Sequence, residues 1–133
     1  MTTPYEDRIL PAPAMNPGDE PYFEAAAAGK LVIKQCTDCG EHHFYPRSLC
    51  PFCLSAETKW VESTGRGVIH TYSITRRAGP APYAIAFVTL EEGVSMMTNI
   101  VDCDLDAIRI GQRVRVVFKP TDGDVVVPCF APE

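Results

Sequence analysis

Two pairs of cysteines are the residues whose type and spacing are best suited to chemistry. The first pair is Cys36 and Cys39, and the second pair is Cys50 and Cys53. Two such pairs on two tight turns can place four thiolates at the corners of a tetrahedron around Zn²⁺. Ten residues separate Cys39 from Cys50, fewer than the roughly 15–20 of the commonest arrangement, so the hairpin between the pairs must be short. The spacing therefore predicts a structural zinc ribbon.

The chemistry of a four-sulfur site limits what the metal can do. Zinc is the expected metal, and iron is its main competitor because the same four thiolates would hold iron. Such a site leaves no coordination position open for water, so we expect the metal to support folding and not catalysis. The alternative is four buried or redox-active thiols. A thioredoxin-like pair needs a parallel βαβ unit, which the sequence pattern does not provide.

The other two cysteines and the histidines between the pairs are not expected to bind the metal. With four thiolates available, His42 and His43 are expected to be exposed hairpin residues and not ligands or bases. Cys103 and Cys129 lie in or beside predicted strands, where cysteine behaves as a small buried hydrophobic residue.

Catalysis by the chain itself has little support in the sequence. It contains no Walker or dinucleotide-type glycine loop and no Gly-x-Ser-x-Gly turn. His70 lies on a predicted strand, and with Asp102 or Asp104 it is the one candidate for a hydrolytic site. Strand histidines are usually packed or solvated, so hydrolysis is the weaker hypothesis.

The composition of the chain further narrows the class of protein to which it can belong. The 133 residues carry a net charge of −5 and are 46% hydrophobic, which fits one domain or two very small ones. The negative charge disfavours binding to a phosphate backbone. An alternative is a single-stranded nucleic-acid module, for which Arg76, Arg77, Arg113 and Arg115 would supply the positive surface. No secretory signal or membrane span is predicted, so we expect a reducing, cytoplasmic location.

The N-terminal part of the chain divides into an arm and a helix. Residues 1–16 contain three prolines and no apolar period, which predicts an extended arm. Residues 17–30 are expected to hold a helix over about 20–28, with Asp19 accepting hydrogen bonds from its first amides. Pro21 suits the first turn and Gly29 the left-handed residue after the end. Tyr22 and Phe23 lead this helix, which must pack on its own domain or on a partner.

The rest of the chain is predicted to be mainly β. Residues 31–60 form the expected zinc ribbon, starting with a strand at 31–35. Residues 61–133 contain five runs of alternating or apolar residues bounded by turn residues. These runs cover 68–75, 84–90, 95–101, 113–119 and 125–130, with a connection at 102–111 long enough for one helical turn. Five strands with an insertion after the third match an OB-fold barrel.

Several short segments, in this order, resemble one known family, the acyl-CoA-associated OB-fold proteins with a rubredoxin-like zinc ribbon. The resemblance covers residues 22–132. Besides the aromatic helix, the cysteine pairs, Pro46 and Trp60, it includes Gly29-Lys30-Leu31, Gly65-Arg66-Gly67-Val68-Ile69, Pro82-Tyr83-Ala84-Ile85-Ala86-Phe87-Val88, Leu90-Glu91-Glu92-Gly93, Ile110-Gly111-Gln112-Arg113-Val114 and Pro128-Cys129-Phe130-Ala131-Pro132.

The resemblance implies an accessory subunit without catalytic residues of its own. Such a subunit would bind a thiolase-like enzyme as a hetero-oligomer around the enzyme's homodimer, bind acyl-CoA and complete the active site. The four cysteines carry over as zinc ligands. Arg76 and Arg77 are the candidates for contacts with CoA phosphates, and Tyr22 and Phe23 are the candidates for the partner interface. Neither nucleic acid nor a membrane is an expected partner.

Overall fold

A computed structural model describes residues 9–77 and 81–133. The chain begins with helix α1 (Glu20–Ala27), followed by β1 (Val32–Cys36), β2 (His42–His43) and β3 (Thr58–Glu62). Then come β4 (Arg66–Thr75), β5 (Tyr83–Leu90), β6 (Ser95–Ile100), a 3-10 turn (Leu105–Ala107), β7 (Arg113–Pro120) and β8 (Val126–Pro132). The expected order of a helix, a ribbon and five further strands is confirmed, and β3 is an additional strand.

The strands form two sheets. The ribbon sheet is antiparallel and has the order β2-β1-β3, while the other five strands close into a barrel in the order β4-β5-β6-β8-β7. The barrel closes where Gly67 of β4 pairs with Val114 of β7. A side chain at Gly67 would place its Cβ 2.5 Å from the carbonyl oxygen of Thr89, so only glycine fits at this crossing. The expected OB-fold barrel is confirmed.

The helix begins as expected but is capped differently. Pro21 lies in the first turn and Gly29 adopts φ +80° after the end. The Asp19 carboxylate accepts hydrogen bonds from the amide of Asn16 at 3.1 Å and the hydroxyl of Tyr45 at 2.8 Å, and none from the helix. The expected side-chain cap was therefore wrong, because the carboxylate ties the helix entry to the ribbon instead.

Aromatic side chains join α1 to the ribbon. Tyr22 and Phe23 are only 5% and 7% exposed. The Tyr22 ring lies 5.8 Å from that of Phe44 and 5.9 Å from that of Tyr45, measured between centroids. Both helix residues belong to a core cluster that also contains Leu31 of the ribbon edge and the barrel interior. Tyr22 and Phe23 therefore pack inside this chain and offer no surface to a partner, which corrects their assignment as interface residues.

One irregularity in β4 changes which side chains face outward. The register between β4 and β5 shifts between Ile69 and Thr71, so His70 is the extra residue of a bulge. Val68 then pairs with Thr89, whereas Tyr72 pairs with the buried Ala86, and Val68 and Tyr72 are both 39% exposed. An unbroken alternation would pair Val68, His70 and Tyr72 on one face, and the one inserted residue changes this pairing.

The described part of the N-terminal arm is extended and attached to the barrel. Leu10 is buried against Val101 and Cys129 and forms a parallel bridge with Thr121. The amide of Asp122 donates to the carbonyl oxygen of Leu10 at 2.9 Å. At the other boundary, β3 spans the expected division between residues 60 and 61. The domain boundaries therefore remain predictions.

Candidate metal centre and binding surfaces

The four cysteines of the two pairs meet at one end of the ribbon sheet. Cys36 ends β1, Cys39 lies on the turn that follows, and Cys50 and Cys53 lie on a second turn. The four Sγ atoms all lie within 4.8 Å of one another. The Sγ atoms of Cys36 and Cys53 are 3.6 Å apart, and those of Cys39 and Cys50 are 3.7 Å apart. The structure thus brings together every sulfur that the spacing singled out.

This arrangement fits zinc. Tetrahedral coordination with Zn–S bonds of about 2.3 Å separates the sulfurs by roughly 3.8 Å, close to the two shortest distances here. Backbone amides also point at sulfur: the Cys39 amide donates to Cys36 Sγ and the Phe52 amide to Cys50 Sγ, both at 3.4 Å. The Cys39 amide is the main cause that lowers the pKa of Cys36 to about 7. The backbone therefore favours the metal-binding thiolate form of Cys36, whereas the pKa values of Cys39 and Cys53 are raised in the group of free thiols.

The two turns that carry the cysteines, here called the first knuckle (36–40) and the second knuckle (50–54), have the same backbone plan. The Gly40 amide donates to the Cys36 carbonyl at 3.0 Å, and the Leu54 amide donates to the Cys50 carbonyl at 2.9 Å. Both fifth residues have positive φ, +79° for Gly40 and +66° for Leu54. Glycine adopts this conformation freely, whereas leucine is strained in it.

The histidines between the pairs differ from the expectation. His42 is half-buried, and His43 is 3% exposed. The Nε2 atom of His43 accepts a hydrogen bond from the amide of Arg47 at 3.2 Å, so this nitrogen is used away from the sulfurs. Burial is the main cause that lowers the pKa of His43. The expectation of an exposed His43 was wrong, because the residue is buried where β2 pairs with β1.

The remaining cysteines match their expectation in part. Cys129 is fully buried in β8, while Cys103 is half-buried against the main core. Burial is the main cause that raises the pKa of Cys103, with Asp104 and Asp102 adding to it. Both residues are packing residues of the barrel and lie outside the group of four sulfurs.

The two arginines proposed for phosphate contacts follow the end of β4, and the histidine proposed for hydrolysis lies on the bulge within it. The guanidinium of Arg76 forms an ion pair with Asp106 at 2.7 Å. Arg77 is exposed, and Gly79 and Pro80 of the adjoining loop lie outside the described residues. His70 is exposed on the bulge. Asp102 pairs with Lys119 at 2.8 Å and Asp104 accepts from the amide of Asp106 at 3.1 Å, so both carboxylates already have partners.

Two exposed apolar patches emerge from the structure. On the second knuckle, Phe52 and Leu54 are 65% and 74% exposed, and Leu49 just before it is 52% exposed. On the outer barrel face, Ile85, Phe87 and Met97 line a shallow groove of about 140 Å³. These residues were not singled out from the sequence. The sequence signal was the leucine at the position of the second knuckle that corresponds to Gly40.

The described part of the chain has no helix long and apolar enough to cross a membrane.

Comparisons with known proteins identify the family. Residues 23–58 match the "ChsH2, rubredoxin-like zinc ribbon domain" and residues 60–119 match the "ChsH2, C-terminal OB-fold domain". A "DUF35 domain-containing scaffold protein" of Methanothermobacter thermautotrophicus is 38% identical over 95 residues, covering 67% of this chain and 71% of the relative. The chain belongs to this DUF35 family of zinc-ribbon and OB-fold proteins.

Two further relatives carry more specific names. A "Probable enoyl-CoA hydratase alpha subunit" of Thermomonospora curvata is 34% identical over 128 residues, which cover 93% of this chain but 40% of the relative. The chain thus spans less than half of that protein. A solved structure titled "Ltp2-ChsH2(DUF35) aldolase" contains a chain 34% identical to this one, with a TM-score of 0.80, covering 91% of this chain and 98% of that chain.

Proposed function

We propose that this chain is a non-catalytic accessory subunit that binds a thiolase-like enzyme acting on acyl-CoA and completes or stabilises it. The related chain in the Ltp2-ChsH2(DUF35) aldolase structure and the relative named a scaffold protein support this role. The four-sulfur site supports it too, because zinc held by four thiolates would have no open coordination position for chemistry. The reacting groups would come from the partner.

The observation that carries the proposal is the exposed second knuckle. Leu54 holds a left-handed backbone conformation with its side chain in water, although glycine at the same position of the first knuckle avoids the strain. Leu49 and Phe52 are exposed beside it. Strained, exposed apolar residues are explained if a partner covers them. We therefore place the docking surface on the second knuckle, with the outer barrel face as a second contact.

The finer parts of the proposal concern the ligand and the assembly. We propose that the chain binds acyl-CoA, that it forms a hetero-oligomer around a homodimeric enzyme, and that the complex is cytoplasmic. Arg77 is an exposed candidate for a phosphate contact, whereas Arg76 is occupied by Asp106. The partner's reaction would make or break a carbon–carbon bond in a β-keto or β-hydroxy acyl-CoA.

The nucleic-acid alternative has weaker support. Bases stack on aromatic residues over a positive groove in OB-fold proteins. The outer groove here is lined by Ile85, Phe87 and Met97 together with uncharged polar residues. This composition fits a protein partner better than a phosphate backbone. A gel shift with an oligonucleotide at low salt would support the alternative.

Co-expression with a thiolase-like enzyme of the same organism tests the proposal. The two chains should co-purify, and Phe52→Asp should reduce the recovered complex at least tenfold, since a charge would be buried at the interface. Ile110→Asp is the matched control, because Ile110 is an exposed apolar residue of the barrel. A chain that stays monomeric beside the enzyme and leaves its activity unchanged would contradict the proposal.

A further inference from the structure

An apolar groove of about 240 Å³ lies between α1 and the turn that leads into β8. Phe23 and Ala27 line it from the helix, Val125 and Val126 line it from the barrel, and Met15 lines it from the arm. The groove is smaller than the roughly 300–1,000 Å³ of small-molecule sites, so it suits one or two side chains of a larger partner. Neither the zinc site nor the second knuckle contributes a residue to it.

Three carboxylates also line the groove, and they lie on both of its sides. Glu20 and Glu24 are one turn apart on α1, and Asp124 belongs to the turn before β8. Like charges four residues apart destabilise a helix. Glu20 accepts a hydrogen bond from the amide of Gly18 at 2.9 Å. None of the three carboxylates forms an ion pair with a residue that the structure describes.

The two segments that form the groove supply no cation of their own. Residues 9–29 and 120–133 contain no lysine, arginine or histidine. The lysines that flank these segments, Lys30 and Lys119, each form an ion pair with a carboxylate outside the groove, with N–O distances of 4.0 Å and 2.8 Å. The negative charge of the groove is therefore left for a partner to neutralise.

The chemistry of the groove specifies the partner. In the described part of the chain, the four cysteines are the only group of three or more potential ligands close enough to hold a metal ion, so the carboxylates do not form a cation site. An apolar floor between carboxylates is instead complementary to an apolar side chain that has cations beside it. Amphipathic segments present this combination when they lie in a groove.

We propose that this groove docks a cationic amphipathic segment of a partner protein. An apolar side chain of the segment packs between α1 and the turn before β8, and lysines or arginines beside it pair with Glu24 and Asp124. This surface is separate from the second knuckle, on which the enzyme is proposed to dock. The two proposals therefore stand or fall independently.

Titrating the zinc-loaded chain with an amphipathic helical peptide of leucine and lysine tests the inference. Nuclear magnetic resonance should show saturable shifts at Ala27, Val125 and Val126 with this peptide. The same peptide with glutamate in place of lysine should give no saturable shift, because its charges would be repelled. The version with serine in place of leucine should give none either, because nothing would fill the apolar groove.

A matched pair of variants locates the charge effect. Glu24→Lys should weaken binding of the leucine and lysine peptide about tenfold, because an attraction at the edge of the interface becomes a repulsion. The variant should fold, since lysine is favourable near the C-terminal end of a helix. Glu57→Lys makes the same charge change at an exposed residue outside the groove and should change binding little.

Three outcomes would overturn the inference. The first is the absence of saturable shifts, or their location at residues 49–54 instead of the groove. The second is equal binding of the lysine and glutamate peptides, or equal loss of binding in the Glu24 and Glu57 variants. The third is self-association of the chain whose dilution shifts the same groove residues, which would make a second copy the occupant. Co-purification with the enzyme tests the proposed function separately.

Discussion

The barrel and the ribbon differ in how many apolar residues they bury. The barrel closes its five strands into a ring, and Val88, Ile100 and Phe130 are fully buried inside it. The ribbon has three short strands, of which only the barrel end contributes to the core, through Leu31 and Ile33. Its other end holds the four sulfurs. Side-chain packing thus stabilises the barrel, and metal coordination must stabilise the far end of the ribbon.

Removing the metal should produce the largest difference between the two regions. Zinc binding contributes about 10–16 kcal/mol in zinc-finger peptides, so Cys50→Ser should unfold the knuckles at residues 36–54. Amide hydrogen exchange should become fast there and stay slow in β5 and β6. Cys103→Ser should keep one zinc per chain, since Cys103 is not one of the four sulfurs. Simultaneous loss of protection in the barrel would show that the two regions are not separable.

A cavity in the barrel should have the next largest effect. It should destabilise the barrel and leave the zinc site intact. Phe130→Ala removes a fully buried ring and should lower the free energy of unfolding by about 3–5 kcal/mol. Denaturant titration followed by circular dichroism measures this change. The half-buried Phe118 gives a control whose replacement by alanine should cost less. Zinc content should not change, because the sulfurs are bonded to amides of their own knuckles.

The hydrogen bond that joins the ribbon to the entry of α1 should contribute less to the free energy of unfolding. Tyr45→Phe removes the hydrogen bond to the buried Asp19 and should cost about 1.5 kcal/mol, at the low end for bonds to charged groups because Tyr45 is partly exposed. Burial, and then Asp19, raise the pKa of Tyr45 to about 12, above the ordinary value of about 10.

Because the pKa of Tyr45 is raised, the stabilisation by its hydrogen bond to Asp19 should depend on pH. The folded state holds the Tyr45 proton more tightly than the unfolded state, so the stabilisation is complete below about pH 10 and is lost as pH rises through about 12. Unfolding free energies measured across this range should therefore converge for the wild type and Tyr45→Phe. A difference between the two proteins that does not change with pH would contradict the assignment.

Local patterns predicted the features that depend on neighbouring residues. The cysteine spacing was enough for the four-sulfur site, because each knuckle is closed by bonds within five residues. The run at 113–119 alternates, and the structure buries Val114 and exposes Arg113 in agreement with that pattern. The strand β3 was missed because TKWVE contains only two apolar residues, and its pairing with β1 is what makes it a strand.

Features that depend on distant residues could not be predicted in this way. The burial of Tyr22 requires Phe44 and Tyr45, which lie on the other side of the first cysteine pair in the sequence. The bulge at His70 leaves no mark in the alternation, because apolar residues stand on both sides of β4 and β5. The hydrogen bond between His43 Nε2 and the Arg47 amide, and the lack of a partner for the buried Nδ1 among the described residues, are visible only in the structure.

The smallest predicted effects come from replacing the fifth residue of each knuckle. Leu54→Gly should raise the free energy of unfolding of the zinc-loaded chain by about 1 kcal/mol, since glycine relieves the left-handed strain. The matched change Gly40→Ala should lower it by a similar amount, because no atom lies near the added Cβ and only the φ of +79° opposes it. Denaturant midpoints at saturating zinc measure both changes.

If Leu54→Gly stabilises the chain but weakens co-purification with the enzyme, the leucine is kept for the partner. Unchanged or lower stability would show that the Leu54 side chain stabilises its own knuckle, and the main argument for docking there would fail.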